Sequence, residues 1–205
     1  MDNLLVPTHY SDQSIFETEL DRLFSSCWVF VGLRSDLRND GDWIATRVGS
    51  TSVTIQNDRG ELRALHNVCS HRFAVMRTQP QGSGPLTCPY HGWIYGCDGN
   101  VSAIPARPRF SDLDEKKIAE MRLRQFDLAC CGELIFVRLQ PEGPTLQEYC
   151  GEAWDSLKSF SESLGSQLHV TTVRVAANWK LVVENSIESY HSGCVHPETL
   201  GFESG

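Results

Sequence analysis

The sequence predicts a mainly β protein with added helices, an α+β chain in which a small antiparallel β-domain is flanked by helical segments. Three observations lead there. From about residue 40 to residue 140, a series of short strand-like runs is broken by frequent turn signals, which describes a small antiparallel β-domain. Ahead of that region, residues 14–26 place apolar side chains at helical spacing. After Pro141 to Pro144, which looks like a boundary, the helical spacing returns from Leu146 to Phe160. The expected divisions are therefore an N-terminal helical arm over 1–40, a β-domain over 41–140 and a further, incomplete domain over 141–205.

Each element has a local cause. Ser14-Ile15-Phe16-Glu17 has the form of a capping box ahead of Leu20, Leu23 and Phe24. Trp28 to Val31 reads as a buried strand, Asp42 to Val48 as a second, and Gly49-Ser50 turns the chain into Ser52 to Ile55. Asn57 to Gly60 is another turn, and Trp93 to Tyr95 returns through Asp98-Gly99 to Val101 and Ile104 as a hairpin. Strands are expected at 122–129 and 133–139, and a helix whose stripe Leu146, Tyr149, Trp154, Leu157 and Phe160 packs on a neighbour. Leu168 to Val175 alternates as a strand, and Asn178 stands as the N-cap of a largely buried helix that Gly193 ends.

Composition narrows the function. With 205 residues, 40% hydrophobic, the chain can bury a real core. A formal net charge of −8 argues against nucleic acid as a partner, because duplex binding needs a basic footprint. No apolar run approaches the ~20 residues that cross a bilayer, and Met1-Asp2-Asn3 lacks the basic start of a secretory signal. A cytoplasmic protein with no membrane partner is expected. Cys27, Cys97, Cys130, Cys131, Cys150 and Cys194 show no disulfide framework and read as reduced packing thiols. No G-x-G-x-x-G follows a strand and there is no P-loop, so reducing equivalents must come from outside the chain.

The chemistry gathers in two places. Cys69 and His71 lie two apart, Cys88 and His91 three apart, and sixteen residues separate the pairs. A structural zinc finger usually keeps its cysteines together and its histidines together. Two mixed pairs suit a [2Fe–2S] cluster in which one iron takes Cys69 and Cys88 and the other His71 and His91, the Rieske arrangement. Pro89 and Gly92 supply the fixed and permissive backbone that tight wrapping demands. Further on, Glu188 and His191 are three apart and share a helix face, with His196 five residues beyond. Two histidines near a carboxylate are the ingredients of a 2-His-1-carboxylate iron site.

The wording around these residues extends the argument. Asn67-Val68-Cys69-Ser70-His71-Arg72 and Leu86-Thr87-Cys88-Pro89-Tyr90-His91-Gly92-Trp93 resemble the two signature loops of Rieske iron–sulfur domains. Phe73 departs from the family, which usually has Gly shortly after the first His-Arg. Asn178-Trp179-Lys180, Glu184-Asn185 and Glu188 through His191 to His196-Pro197-Glu198 resemble the iron-binding segment of Rieske non-haem iron oxygenases, the large (α) subunits of ring-hydroxylating dioxygenases and their demethylating relatives.

The resemblance implies a fold and a function. It implies a Rieske [2Fe–2S] domain followed by the first elements of a helix-grip catalytic domain. It makes His191 and His196 ligands of a mononuclear Fe(II), and Glu188 the carboxylate linking that site to a cluster histidine of a neighbouring subunit in a homotrimer. Electrons would come from an NAD(P)H-dependent flavin and iron–sulfur reductase, sometimes through a ferredoxin, and O2 and a small-molecule substrate would be consumed. Glu188, where many aromatic-ring members have Asp, leans toward quaternary ammonium substrates. The family's third iron ligand is an Asp well beyond Gly205, so the chain looks like the N-terminal half of an oxygenase, with Glu198 a local cap or surface carboxylate. Arg72 is a candidate charge beside the cluster. A ferredoxin-like electron carrier and an inactive remnant that binds only the cluster are the alternatives.

Overall fold

The computed structural model describes residues 5–164 and 173–200. Residues Glu19–Leu168 make one compact unit, and Met1–Thr18 with His169–Gly205 make another.

The larger unit is built on ten strands: β1 (Val29–Leu33), β2 (Asp42–Val48), β3 (Thr51–Asp58), β4 (Glu61–His66), β5 (Gln81–Ser83), β6 (Leu86–Thr87), β7 (Ile94–Tyr95), β8 (Val101–Ala103), β9 (Gln125–Cys131) and β10 (Leu134–Arg138). Seven of them form an antiparallel sheet in the order β1-β10-β9-β4-β3-β2-β5, and β6-β7-β8 form a second, smaller one. Hairpins set much of the register. Arg59 and Gly60 both take positive φ between the paired Asp58 and Glu61, the two-residue turn whose twist matches right-twisted strands. The sheet reaches outside residues 41–140, because β1 pairs with β10, placing Val29 opposite Val137.

Alternation along β3 decides what each face does. Val53 and Ile55 point into an apolar core with Ile44, Val48, Ala64, Ile135 and Val137. Burying such a side chain fully contributes about 1.5–3 kcal/mol. Thr54 and Gln56, on the opposite face, are buried as well. A second core joins Leu65, Met76, Leu86, Trp93 and Leu123 to Cys69 and Cys88, so two of the expected ligands are part of the hydrophobic interior.

Several expected elements differ in detail. Residues 14–26 form an α-helix only over Gln13–Thr18, continue as a π-helical turn over Glu19–Leu23 and close with Phe24–Ser26. Asp12, not Ser14, caps the start: its carboxylate accepts from the backbone N–H of Ser14 at 2.8 Å and of Ile15 at 3.3 Å. The helix after the prolines divides into Leu146–Cys150 and Trp154–Glu162, joined by a 3-10 turn. A Thr145–Glu148 capping box opens the first half. Leu146, Trp154 and Leu157 pack against Trp28 and Cys131, while Tyr149 and Phe160 stay exposed. Pro141 to Pro144 packs on the larger unit: the Pro144 carbonyl accepts from Trp28 Nε1 at 3.0 Å and from Arg138 at 2.7 Å.

In the smaller unit, Asn178 caps the helix Trp179–Ile187 through the backbone N–H of Lys180 at 3.1 Å. Among its described residues only Lys180 is buried, and Leu181, Val182, Val183 and Ile187 are exposed, so the expectation of a largely buried helix does not hold. Tyr10 donates to the Glu184 carboxylate at 2.7 Å, and Asn178 donates to the Tyr10 carbonyl, tying the N-terminal segment to this helix. The strand expected over 168–175 falls mainly outside the described residues, and Val173 to Val175 carry no strand.

Candidate metal centre

Two loops with one hydrogen-bond frame carry the four cluster candidates. In the first, Cys69 N–H donates to the Ala74 carbonyl and Phe73 N–H to the Cys69 carbonyl, each at 2.9 Å. In the second, Cys88 N–H donates to the Trp93 carbonyl at 2.8 Å and Gly92 N–H to the Cys88 carbonyl at 2.9 Å. The residue four past each cysteine has positive φ, 57° at Phe73 and 71° at Gly92. Phe73 therefore keeps the turn that glycine would make easily, and its ring is 79% exposed.

The loops bring like ligands together. Cys69 and Cys88, each 1% exposed, pack in the same core. The His71 and His91 rings lie 4.8 Å apart. His71 also stacks on Trp93, 4.6 Å between centroids and 6° from parallel, which fixes the imidazole plane. Burial pushes the Cys88 thiol up, and the backbone N–H groups of Tyr90 and His91 pull it back. Burial, with the neighbouring His91 and Arg72, holds His71 below the usual imidazole range, so its neutral, ligating form is favoured. Arg72 is exposed but close enough to act on His71.

The donor set fits a two-iron cluster. The buried His71 Nδ1 has no hydrogen-bond partner among the described residues. A buried imidazole nitrogen left without a partner is costly unless something else takes its lone pair. The two thiols and two imidazoles stand as separate pairs, as a [2Fe–2S] cluster with one iron per pair requires. Among the described residues no three His, Cys, Asp or Glu side chains converge as a single-ion site.

Tyr95 was not foreseen. Its hydroxyl lies 3.1 Å from Cys69 Sγ and 2.9 Å from Ser70 Oγ, and accepts the Ser70 N–H at 3.1 Å. Ser70 Oγ in turn donates to the Met121 carbonyl at 2.7 Å. Tyr95 sits 26 positions from Cys69, on β7, where it pairs with Leu86 just ahead of the second loop while its hydroxyl reaches the first.

The second set lies in the smaller unit. The helix ends at Ile187 with Glu188 already extended, so Glu188 and His191 do not share a helix face. A tight turn unites them instead. The Glu188 carboxylate accepts from the Tyr190 N–H at 2.7 Å and contacts His191 Nδ1, and the His191 bond is the main reason its pKa falls below the usual carboxylate value. Gly193 does not end the helix; it lies inside a new short one, Ser192–Val195. The His191 and His196 rings are 5.9 Å apart and edge-on. Glu198 is exposed in the first turn of Pro197–Leu200, behind a proline suited to that position. The described residues therefore supply two imidazoles, with Glu188 engaged by one of them. With Nδ1 of His191 held by a carboxylate, Nε2 is the nitrogen left for a metal.

Paired thiols and imidazoles on matched loops beside an antiparallel sheet define a mixed-ligand iron–sulfur domain. Residues 27–127 match the Rieske [2Fe-2S] domain family and residues 155–204 the ring hydroxylating alpha subunit catalytic domain. The chain belongs to the Rieske oxygenase α-subunit family, whose members carry a [2Fe–2S] cluster and a mononuclear iron. It is 31% identical to the glycine betaine monooxygenase oxygenase subunit of Pseudomonas aeruginosa, over 93% of this chain and 44% of that protein. It is 29% identical to the carnitine monooxygenase oxygenase subunit of Escherichia coli, over 92% of this chain and 50% of the other. The fold superposes on naphthalene 1,2-dioxygenase with a TM-score of 0.81 at 27% identity, covering 90% of this chain and 43% of that one. The chain thus spans about half the length of the curated relatives it matches.

No helix among the described residues is long and apolar enough to cross a membrane.

Proposed function

We propose that this chain is the cluster-bearing part of an oxygenase component that hydroxylates an organic substrate or removes a methyl group from it. The observation that carries the reading is the juxtaposition of the Cys69 and Cys88 thiols with the His71 and His91 rings, in a chain that also holds His191 against Glu188. When bound, the metals supply one-electron transfer at the cluster and O2 activation at a mononuclear Fe(II).

The chain's own residues do the positioning. Cys69 and Cys88 would hold one iron as thiolates in a dry pocket, and His71 and His91 would hold the other as neutral imidazoles. Trp93 fixes the plane of His71. In the smaller unit, Glu188 fixes the tautomer of His191, and His191 and His196 would hold the mononuclear iron. Residues 41–140 serve the cluster, residues 141–205 begin the catalytic domain and residues 1–40 precede both. In a homotrimer, Glu188 would link His191 of one copy to a cluster histidine of the next. An NAD(P)H-dependent flavin and iron–sulfur reductase, directly or through a ferredoxin, supplies the electrons in the cytoplasm.

Quaternary ammonium compounds are the favoured substrates. Glu188 supports that lean, as do the relatives named for glycine betaine and carnitine. An electron-carrier role is the second reading, favoured by the fact that all four cluster ligands lie inside the unit Glu19–Leu168.

Metal analysis tests the core of the proposal. Anaerobically purified protein is expected to carry two irons and two acid-labile sulfides per chain at the cluster. Colourless, zinc-loaded protein with no paramagnetic signal on reduction overturns it. For the substrate, the complete reading frame with a reductase should release formaldehyde from glycine betaine or carnitine only in the presence of O2. A ring diol without formaldehyde would place it with the ring dioxygenases, and reversible cluster reduction without any O2-dependent product would favour the carrier.

A further inference from the structure

We propose that Arg77 is a positioning residue for the cluster: it clamps both ligand loops to the sheet and, as a buried cation, favours the reduced state. The inference rests on the cluster assignment above and adds a residue that no part of that assignment requires.

The clamp is visible in the hydrogen bonds. Arg77 is 7% exposed. Its Nη1 donates to Thr54 Oγ1 at 2.7 Å, and its Nη2 donates to Gln56 Oε1 at 2.7 Å and to the Gly84 carbonyl at 3.1 Å. The guanidinium lies 4.5 Å from the centroid of the Trp43 ring. Its backbone N–H donates to Asn67 Oδ1 at 2.9 Å, and Asn67 Nδ2 donates back to the Arg77 carbonyl at 2.8 Å. Asn67 lies two residues before Cys69, and Gly84 four before Cys88. The neighbouring Met76 packs in the same core as both cysteines. The side chain therefore joins β2, β3 and the stem of the second ligand loop, and the backbone of the same residue holds the stem of the first.

The charge calls for an explanation of its own. Every hydrogen-bond acceptor on the guanidinium is neutral, and among the described residues Arg77 forms no salt bridge. Burying a cation without a carboxylate is unfavourable. Burial pulls its pKa down to about 10, which still leaves it charged at neutral pH. Two ferric ions, two sulfides, two thiolates and two neutral imidazoles sum to zero net charge, and one added electron makes the site anionic. A fixed cation nearby stabilises that anionic state more than the oxidised one. A neutral side chain of the same length could satisfy part of the hydrogen bonding but not that preference.

Arg77→Gln and Arg77→Lys in the cluster-loaded chain separate the two roles. The readouts are the midpoint potential and the rate at which a chelator removes iron. Arg77→Gln should lower the equilibrium constant for reduction about five-fold, as expected for losing a unit charge in a partly screened interior, and should speed iron loss. Arg77→Lys should restore the potential but still lose iron faster than the parent, because one ammonium cannot span Thr54, Gln56 and Gly84. An unchanged potential in Arg77→Gln overturns the inference, as does iron loss at the parental rate. If Arg77→Gln does not fold, Arg77→Lys and Gln56→Leu decide, and parental iron-loss rates in both overturn it. Absence of iron and sulfide in the parent would instead refute the cluster assignment.

Discussion

The two ligand loops share one backbone frame and differ in nearly everything attached to it. The Cys69 loop turns through a phenylalanine at φ 57°, stacks its half-buried histidine on Trp93 and offers its sulfur a phenol. The Cys88 loop turns through a glycine at φ 71°, leaves His91 exposed beneath Tyr90 and offers its sulfur the backbone N–H groups of Tyr90 and His91. Similar bonds to the backbone carbonyls thus support unequal ligand environments. Both cysteines sit in one core, while His71 is half-buried and His91 exposed.

Changing a ligand in the buried loop should have the largest effect. His71→Cys is expected to lower the reduction potential by on the order of 100 mV or more, because thiolate donates more charge than neutral imidazole. The stack with Trp93 would be lost as well. A redox titration of the variant checks this, and a potential unchanged from the parent would mean that His71 is not a ligand.

The candidate ligands were legible in the sequence because their spacing is local. Cys69-x-His71 and Cys88-x-x-His91 need no tertiary knowledge, and the turns around Gly60 and Gly99 punctuate the strands as the residues demand. What surrounds the ligands was not legible. Tyr95 and Arg77 reach the loops through strand pairing and buried hydrogen bonds that cross 26 and 23 positions of sequence. The one local hint was the polar alternation Thr54, Gln56 within an otherwise apolar strand, the mark of a second buried face. β1 could not be assigned to the sheet from its own residues, since its partner β10 lies about a hundred positions away. Around Glu188 the i, i+3 spacing gave the right neighbours for the wrong reason, since a turn delivers the contact once the helix has stopped.

An intermediate effect is expected at the sulfur of the buried loop. Against a metal-bound thiolate only the Tyr95 phenol can donate, while its oxygen accepts the Ser70 N–H. Tyr95→Phe removes both bonds. Losing the donor to sulfur should lower the potential by on the order of tens of millivolts. The stranded Ser70 N–H should cost about 1–3 kcal/mol of stability. A variant that is less stable yet keeps its potential would show that the phenol only supports the loop.

The smallest effects, and the sharpest comparison of the loops, lie at the two left-handed positions. At Gly92 a Cβ would stand 3.1 Å from Pro105 Cγ in addition to adopting positive φ, so Gly92→Ala should destabilise the cluster unit by about 1–2 kcal/mol. Phe73 already bears that strain. Left-handed backbone costs an L-residue about 1–2 kcal/mol, part of which glycine returns through its greater freedom in the unfolded chain, so Phe73→Gly should stabilise by about 0.5–1 kcal/mol. Because the ring is exposed, little packing is lost in exchange. Denaturant unfolding of the two variants should therefore move in opposite directions from the parent. If Phe73→Gly instead destabilises the protein, the ring contributes packing that offsets the backbone strain, and the two loops would be more alike in energy than in geometry.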